Sequence, residues 1–252
     1  MKALFLNSKL DLYDKTEDGQ RIPHHFGNKN RILTNLKKYI KNYNHMVLIA
    51  SNAENIEEGL IHAKYIIESF NLTLPFKKYT LLDSSNKTEA KKLVQSADLI
   101  YIMGGHVPTQ NKFINEINLK EILRDYDGVI IGTSAGCMNS AEIVYCPPEL
   151  EGEGYDKNFQ RFLHGLGLTK INIFPHYDKI KDDMLDGRRL IDYAIDDSKK
   201  IPILLLNNTS YVVQVDGKMK LYGKAFKLYQ KKITSLCENG RRVEINDKLD
   251  VL

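Results

Sequence analysis

The segment Gly132-Thr133-Ser134-Ala135-Gly136 directly follows the apolar run Gly128-Val129-Ile130-Ile131. A buried strand that ends in G-x-S-x-G has the form of a nucleophile elbow. The serine sits on a tight strand-to-helix turn with its hydroxyl turned into solvent, and the flanking glycines give the backbone room to turn. The amide of Ala135 then points towards the oxyanion that forms when a substrate carbonyl is attacked. The competing reading is an ordinary glycine-rich turn in which Ser134 only caps a helix.

A nucleophilic serine needs a base, a group that orients the base, and an oxyanion hole. Of seven histidines, only His164 and His176 follow Ser134. His176 ends a strand in Phe174-Pro175-His176-Tyr177-Asp178, which places it on the same rim as the serine, and it is the expected base. His164, in Leu163-His164-Gly165, reads as a turn residue. A second oxyanion donor is expected from the loop Met103-Gly104-Gly105-His106, where glycine lets a bare N–H approach the substrate. There is no Walker loop, no complete G-x-G-x-x-G and no H-E-x-x-H. Cys137, Cys146 and Cys237 lack ligand spacing. The expectation is therefore a chemistry without cofactor or metal.

Positioning these residues requires strands and helices in alternation. Strands are read at Ala3 to Leu6, Met46 to Ala50, Tyr79 to Leu82, Leu99 to Ile102 and Val129 to Ile131. Helical spacing covers Asn30 to Tyr43, Asn55 to Phe70, Lys87 to Ala97, Phe113 to Tyr126, Cys137 to Ile143 and Met184 to Ile195. Short apolar strands between helices imply a parallel sheet covered on both faces. Such sheets bind ligands at the carboxyl ends of their strands, where Gly104-Gly105 and Ser134 fall. Later strands run at Ile171 to Phe174, Ile203 to Leu206 and Tyr211 to Val215, with Asp216-Gly217 as a hairpin turn. From Lys231 the chain alternates and reads as edge strands. The polar stretches Asp11 to Asn30 and Cys146 to Gln160 read as long loops beside strand ends.

The 252 residues, with 42% hydrophobic and 27% charged side chains and no linker or repeat, read as one domain over 1–252. A net charge of +4 with lysines scattered in pairs argues against a nucleic-acid surface. No apolar stretch is long enough for a membrane helix. The first apolar run reads as a strand and not a signal peptide. Three cysteines suggest a reducing compartment, and the expected location is cytoplasmic.

G-x-S-x-G also occurs in α/β-hydrolases, but there the histidine comes late. Here residues 177–252 hold none, and 176 − 134 = 42 residues separate serine from histidine. The set Gly104-Gly105, Gly132-Thr133-Ser134-Ala135-Gly136 and Pro175-His176 instead resembles the dipeptidase E and cyanophycinase family of serine peptidases. The resemblance spans roughly residues 1–225. It implies a three-layer α/β/α sandwich, mainly parallel, similar to class I glutamine amidotransferases, here with a C-terminal hairpin. It implies Ser134 as nucleophile, His176 as base, and the Ala135 and Gly105 amides as oxyanion hole.

Two positions depart from the family pattern. His106 stands where the dipeptidases have asparagine, which makes Gly104 and His106 candidates for substrate contact or for support of the elbow. The family's third triad member lies about fifteen residues after the serine, at Glu149. Asp178 competes, because His176-Tyr177-Asp178 is similar to the histidine-x-glutamate of the amidotransferases. Aspartyl dipeptidases carry an arginine a dozen residues after the histidine, where Arg188 and Arg189 stand here inside the expected helix. The reading is a serine peptidase acting on short peptides through an acyl-enzyme. The alternatives are an amidotransferase-like hydrolase of a non-peptide amide and an inert binding protein on the same fold.

Overall fold

The computed structural model describes residues 2–252. The chain opens with β1 (Ala3–Asn7), a small hairpin of β2 (Tyr13–Lys15) and β3 (Arg21–Pro23), and α1 (Ile32–Tyr39). There follow β4 (His45–Ile49), α2 (Ile56–Thr73), β5 (Lys78–Leu82), α3 (Ala90–Ser96) and β6 (Leu99–Ile102). Then come α4 (Val107–Glu116), α5 (Leu119–Ile122), β7 (Val129–Thr133) and α6 (Ala135–Asn139). The helix expected over Phe113 to Tyr126 is two helices. Pro108 opens α4, and Asn118 in the left-handed region separates it from α5.

The second half holds β8 (Ile143–Tyr145), β9 (Phe162–His164), β10 (Asn172–Phe174) and α7 (Tyr177–Ile180). The two-residue strands β11 (Met184–Leu185) and β12 (Arg188–Arg189) precede α8 (Leu190–Asp197) and β13 (Ile203–Leu206). The chain ends with β14 (Tyr211–Val215), β15 (Lys218–Tyr222), β16 (Ala225–Tyr229), β17 (Lys232–Cys237) and β18 (Arg242–Ile245). The continuous helix expected from Met184 is thus a tight hairpin followed by a shorter helix. Asp186 and Gly187 both have positive φ, the Asp-Gly turn chemistry that closes two-residue hairpins. The loop expected over Asp11 to Asn30 likewise carries the β2–β3 hairpin.

The central sheet has the order β18-β15-β14-β1-β7-β6-β4-β5. From β1 to β5 every pairing is parallel, and β14, β15 and β18 add an antiparallel wing. β1, β4 and β6 are buried along their whole length, which is why they read as unbroken apolar runs. The fold is mixed α/β of the expected kind. Among the described residues no helix is long and apolar enough to cross a membrane.

A second sheet, not anticipated from the sequence, has the order β10-β13-β16-β17, with β10 and β13 parallel. The period-two alternation of β13 divides its side chains between two cores. Leu204 and Leu206 join the main core, while Ile203 and Leu205 pack with Tyr145, Phe174, Ile191, Ala194 and Leu228.

Candidate active site

Four strand ends converge. β1 and β7 are neighbours in the central sheet, with Asn7 opposite Thr133, and they lead to Ser8 and Ser134. β10 and β13 are neighbours in the small sheet, with Phe174 opposite Leu205. They lead to His176 and, two residues past β13, to Asn208. The site therefore lies where the carboxyl ends of two sheets meet.

Ser134 has φ 52° and ψ −116°, a conformation that non-glycine residues adopt only under constraint. Its amide donates to Asn7 O at 3.0 Å, and its carbonyl accepts from the Cys137 and Met138 amides at 2.9 and 3.1 Å. The side chain of Asn7 bonds Gly132 O and Thr133 Oγ1 and fixes the strand leading into the turn. The turn also needs Gly136, because a Cβ there would lie 2.2 Å from Ile102 O. α6 can start against β6 only without that atom.

Ser134 Oγ lies 2.9 Å from His176 Nε2. His176 is itself left-handed, φ 57°, and its amide donates to Ser8 Oγ at 2.6 Å. The other ring nitrogen, Nδ1, lies 2.7 Å from Asn208 Oδ1 and 3.4 Å from Ser8 Oγ. Nδ1–H donates to the amide oxygen, which leaves Nε2 free to accept from the serine hydroxyl. Ser8 Oγ also donates to Asn208 Oδ1 at 3.2 Å. Burial pushes the His176 pKa below its ordinary value. The Asn208 hydrogen bond acts against this, and the charge of Lys9 adds to it. A neutral imidazole near pH 7 is the form a base requires.

The residue on Nδ1 is thus an asparagine, and both expected carboxylates are placed elsewhere. Glu149 turns its carboxylate to the Val107 amide at the start of α4, 3.0 Å away. The residue as a whole is exposed, but its carboxyl group is walled in by protein. That local loss of water and the nearby Glu153 push its pKa up to about 7. Asp178 stands one step behind the site, accepting from the Asn208 amide at 2.7 Å and so fixing the loop that carries Asn208. Proximity in sequence does not suffice for Asp178, because the chain enters α7 at Tyr177 and turns its side chain away. Sequence reasoning passed over Asn208. The available signal was its position just after a buried strand, in Asn207-Asn208 ahead of Ser210.

Gly104 and Gly105 abut the serine. A Cβ on Gly104 would stand 3.0 Å from Ser134 Cβ. Gly105 has φ 152°, and a Cβ there would lie 2.5 Å from Ser51 Cβ. Its amide has no partner among the described residues. Ala135 is the first residue of α6, where an amide has no intrahelical acceptor. His106 lines the same hollow as Ser134. Its Nδ1 bonds Thr109 Oγ1 at 2.8 Å and its Nε2 bonds Glu153 Oε1 at 2.9 Å. The other oxygen of Glu153 accepts from the Glu149 and Leu150 amides, so His106 ties the 147–153 loop to the glycine loop. His164 ends β9, exposed, with its carbonyl accepting from Asn111. Arg188 and Arg189 lie on the surface, paired with Asp196 and Asp192.

Two hollows flank Ser134 and His176. One, of about 440 Å³, is lined by Gly104, Gly105 and the hairpin residues Tyr13 and Arg21. The other, of about 50 Å³, is walled by Met138, Pro147, Pro148, Phe174, Ile180 and Leu190, with Glu149 at its edge. Cys137 is buried beneath the elbow, its thiol pushed far up by burial and inert as a rival nucleophile. Among the described residues no three His, Cys, Asp or Glu side chains cluster as a metal would need.

The sequence model of peptidase family S51 matches residues 77–222, more than half of the chain. That span holds the glycine loop, the elbow, His176 and Asn208. A crystal structure from Listeria monocytogenes EGD-e, of a protein assigned provisionally to peptidase E, superposes with a TM-score of 0.53. It is 16% identical, and the alignment covers 87% of this chain and 96% of that one. No curated protein sequence matches the chain.

Proposed function

The chain belongs to peptidase family S51 and is a serine-type hydrolase, and we propose that it cleaves short peptides through an acyl-enzyme carried on Ser134. His176 Nε2 takes the hydroxyl proton as Ser134 Oγ bonds to the carbonyl carbon. The carbonyl oxygen becomes an oxyanion facing the Gly105 and Ala135 amides. Protonated His176 then gives its proton to the leaving amine as the C–N bond breaks. Water attacks the resulting ester, its proton goes to His176, and the acid product leaves with Ser134 restored. Asn208 holds the imidazole in the tautomer that can accept, as asparagine does in papain-like cysteine peptidases.

The observation that carries this reading is the 2.9 Å contact between Ser134 Oγ and His176 Nε2, made by a serine held at φ 52°. The larger hollow is of a size that suits a ligand of a few residues. The test is labelling by a small fluorophosphonate, read by mass spectrometry of the intact chain. The expected result is one adduct on Ser134, absent in Ser134→Ala and slowed by about 10³ in His176→Ala. A wild-type chain that takes no label would make this an inert binding protein on a peptidase fold. Labelling that survives in Ser134→Ala would move the nucleophile elsewhere.

A further inference from the structure

We infer that Glu149 and Glu153 are positioning residues for the oxyanion hole: from the 147–153 loop they clamp His106 and Val107, and through these hold the Gly105 amide where the oxyanion forms. The inference rests on the serine-peptidase reading of the same site.

The glycine loop does not hold itself. It joins β6 to α4, and among the described residues neither Gly104 nor Gly105 makes a backbone–backbone hydrogen bond. Two adjacent glycines leave the backbone free to swing. An oxyanion donor must be in place before the charge develops, fixed to within a fraction of an ångström. On the β6 side Gln110 Nε2 supplies a restraint by donating to Met103 O at 2.7 Å. On the α4 side the local restraint is missing. His106 stands at the N-cap of α4, and its side chain caps no amide of that helix. Asparagine, which the resembling dipeptidases carry at this position, can cap a helix itself. Histidine leaves the task to a remote loop.

That loop supplies two contacts, and both fall on the residues that directly follow Gly105. Glu149 Oε2 accepts from the Val107 amide at 3.0 Å. Glu153 Oε1 accepts from His106 Nε2 at 2.9 Å, while Thr109 Oγ1, 2.8 Å from Nδ1, steadies the ring from its other edge. The two acids act as one unit, because Glu153 Oε2 accepts from the Glu149 and Leu150 amides at 2.8 and 3.0 Å. The contacts to His106 and Val107 are part-buried, where a hydrogen bond is stronger than at the surface. The loop is anchored on its far side as well. The Gly152 and Gly154 amides donate to the Asp186 carboxylate at the tip of the β11–β12 hairpin, at 2.9 and 2.7 Å. A continuous set of bonds therefore runs from that hairpin through the two glutamates to the glycine loop.

The test reads fluorophosphonate labelling of Ser134 as kinact and KI, because the phosphoryl oxygen enters the oxyanion hole as the Ser134 oxygen bonds to phosphorus. Glu149→Ala, Glu153→Ala and His106→Ala each lower kinact by roughly 10- to 100-fold, the effect of about an ångström of misplacement. KI stays within about threefold, since the lost contact serves the transition state. Glu149→Gln keeps an acceptor for the Val107 amide and restores most of the rate. Glu153→Ala and His106→Ala combined lose no more than Glu153→Ala alone, because both break the same contact. Carbethoxylation of His176 by diethyl pyrocarbonate, read by mass spectrometry, reports the base without the oxyanion hole, and its rate is that of the wild type in each variant. Variants that keep the wild-type kinact, or that lose kinact and His176 reactivity together, overturn the inference while wild-type labelling upholds Ser134. A wild type that takes no label removes the serine-peptidase reading and the inference with it. Where Glu153→Ala fails to fold, as melting temperature shows, His106→Ala tests the same contact without disturbing the 147–153 backbone and decides alone.

Discussion

Replacing Asn208 is the sharpest test of how the base is held. In Asn208→Ala the imidazole loses the acceptor 2.7 Å from Nδ1 and keeps only Ser8 Oγ at 3.4 Å. The bond matters most when His176 carries the proton taken from Ser134, because it then involves a charged donor. Hydrogen bonds to charged groups contribute about 1.5–3 kcal/mol. At 1.36 kcal/mol per decade this is a loss of roughly 10- to 150-fold in kcat. The loss stays below the ~10⁴ seen when a triad aspartate becomes asparagine, because no charge is removed here. The pH profile adds a second signature. Activity requires neutral His176, so kcat/KM rises with pH through the His176 pKa and levels above it. That pKa lies below the ordinary histidine value, and the Asn208 bond is one of the causes raising it. Asn208→Ala therefore moves the acid limb to lower pH. Asn208→Asp places a carboxylate on the ring and moves it to higher pH. The assay is fluorophosphonate labelling rate against pH, with melting temperature as a control on folding. A labelling rate within twofold of wild type and an unmoved limb in both variants would refute the assignment of Asn208.

Three further outcomes follow from the same geometry. Glu149→Gln leaves kcat/KM within about tenfold, since the amide oxygen can still accept from Val107, whereas a triad acid would cost 10³–10⁴; hydrolysis or labelling kinetics at pH 8 decide. Asp178→Ala frees the Asn208 amide and costs roughly 2- to 12-fold, the worth of one typical hydrogen bond at a solvent-exposed position, while Asp178→Asn restores most of it. Ser134→Gly is more stable than Ser134→Ala by about 1–3 kcal/mol in urea titration, because glycine alone accepts φ 52°, ψ −116° without strain. Equal midpoints would mean that the elbow is unstrained.

The elbow and the parallel core were legible because both are local. Unbroken apolar runs name buried strands, and a glycine-flanked serine after one of them names the turn. His176 was legible as the end of the next buried strand beyond the turn. What orients it was not, because Nδ1 meets its partner, 32 residues later, through the pairing of β10 with β13 in a second sheet. Spacing counted from the serine led to Glu149, and spacing counted from the histidine led to Asp178. Neither count contains that pairing. The Asp186-Gly187 turn shows a different failure. Apolar spacing over Met184 to Ile195 suggested one helix, although the Asp-Gly pair in its midst carried the opposite signal.

The division of the site between two sheets couples catalysis to partial unfolding. His176 and Asn208 follow adjacent strands of the small sheet, which has its own cluster of seven buried side chains, whereas Ser134 and Ser8 follow strands of the large one. Only the docking of one sheet on the other brings Nε2 to Oγ. An opening of the small sheet, which withdraws Leu204 and Leu206 from the main core, is expected to cost less than global unfolding and to separate His176 from Ser134. On warming, activity therefore fades before the far-ultraviolet signal of the central sheet, and it recovers on cooling as the small sheet closes. On the proposed mechanism the catalytic rate is a thermometer of one interface, and substitutions along that interface are expected to shift the working temperature without touching Ser134 or His176.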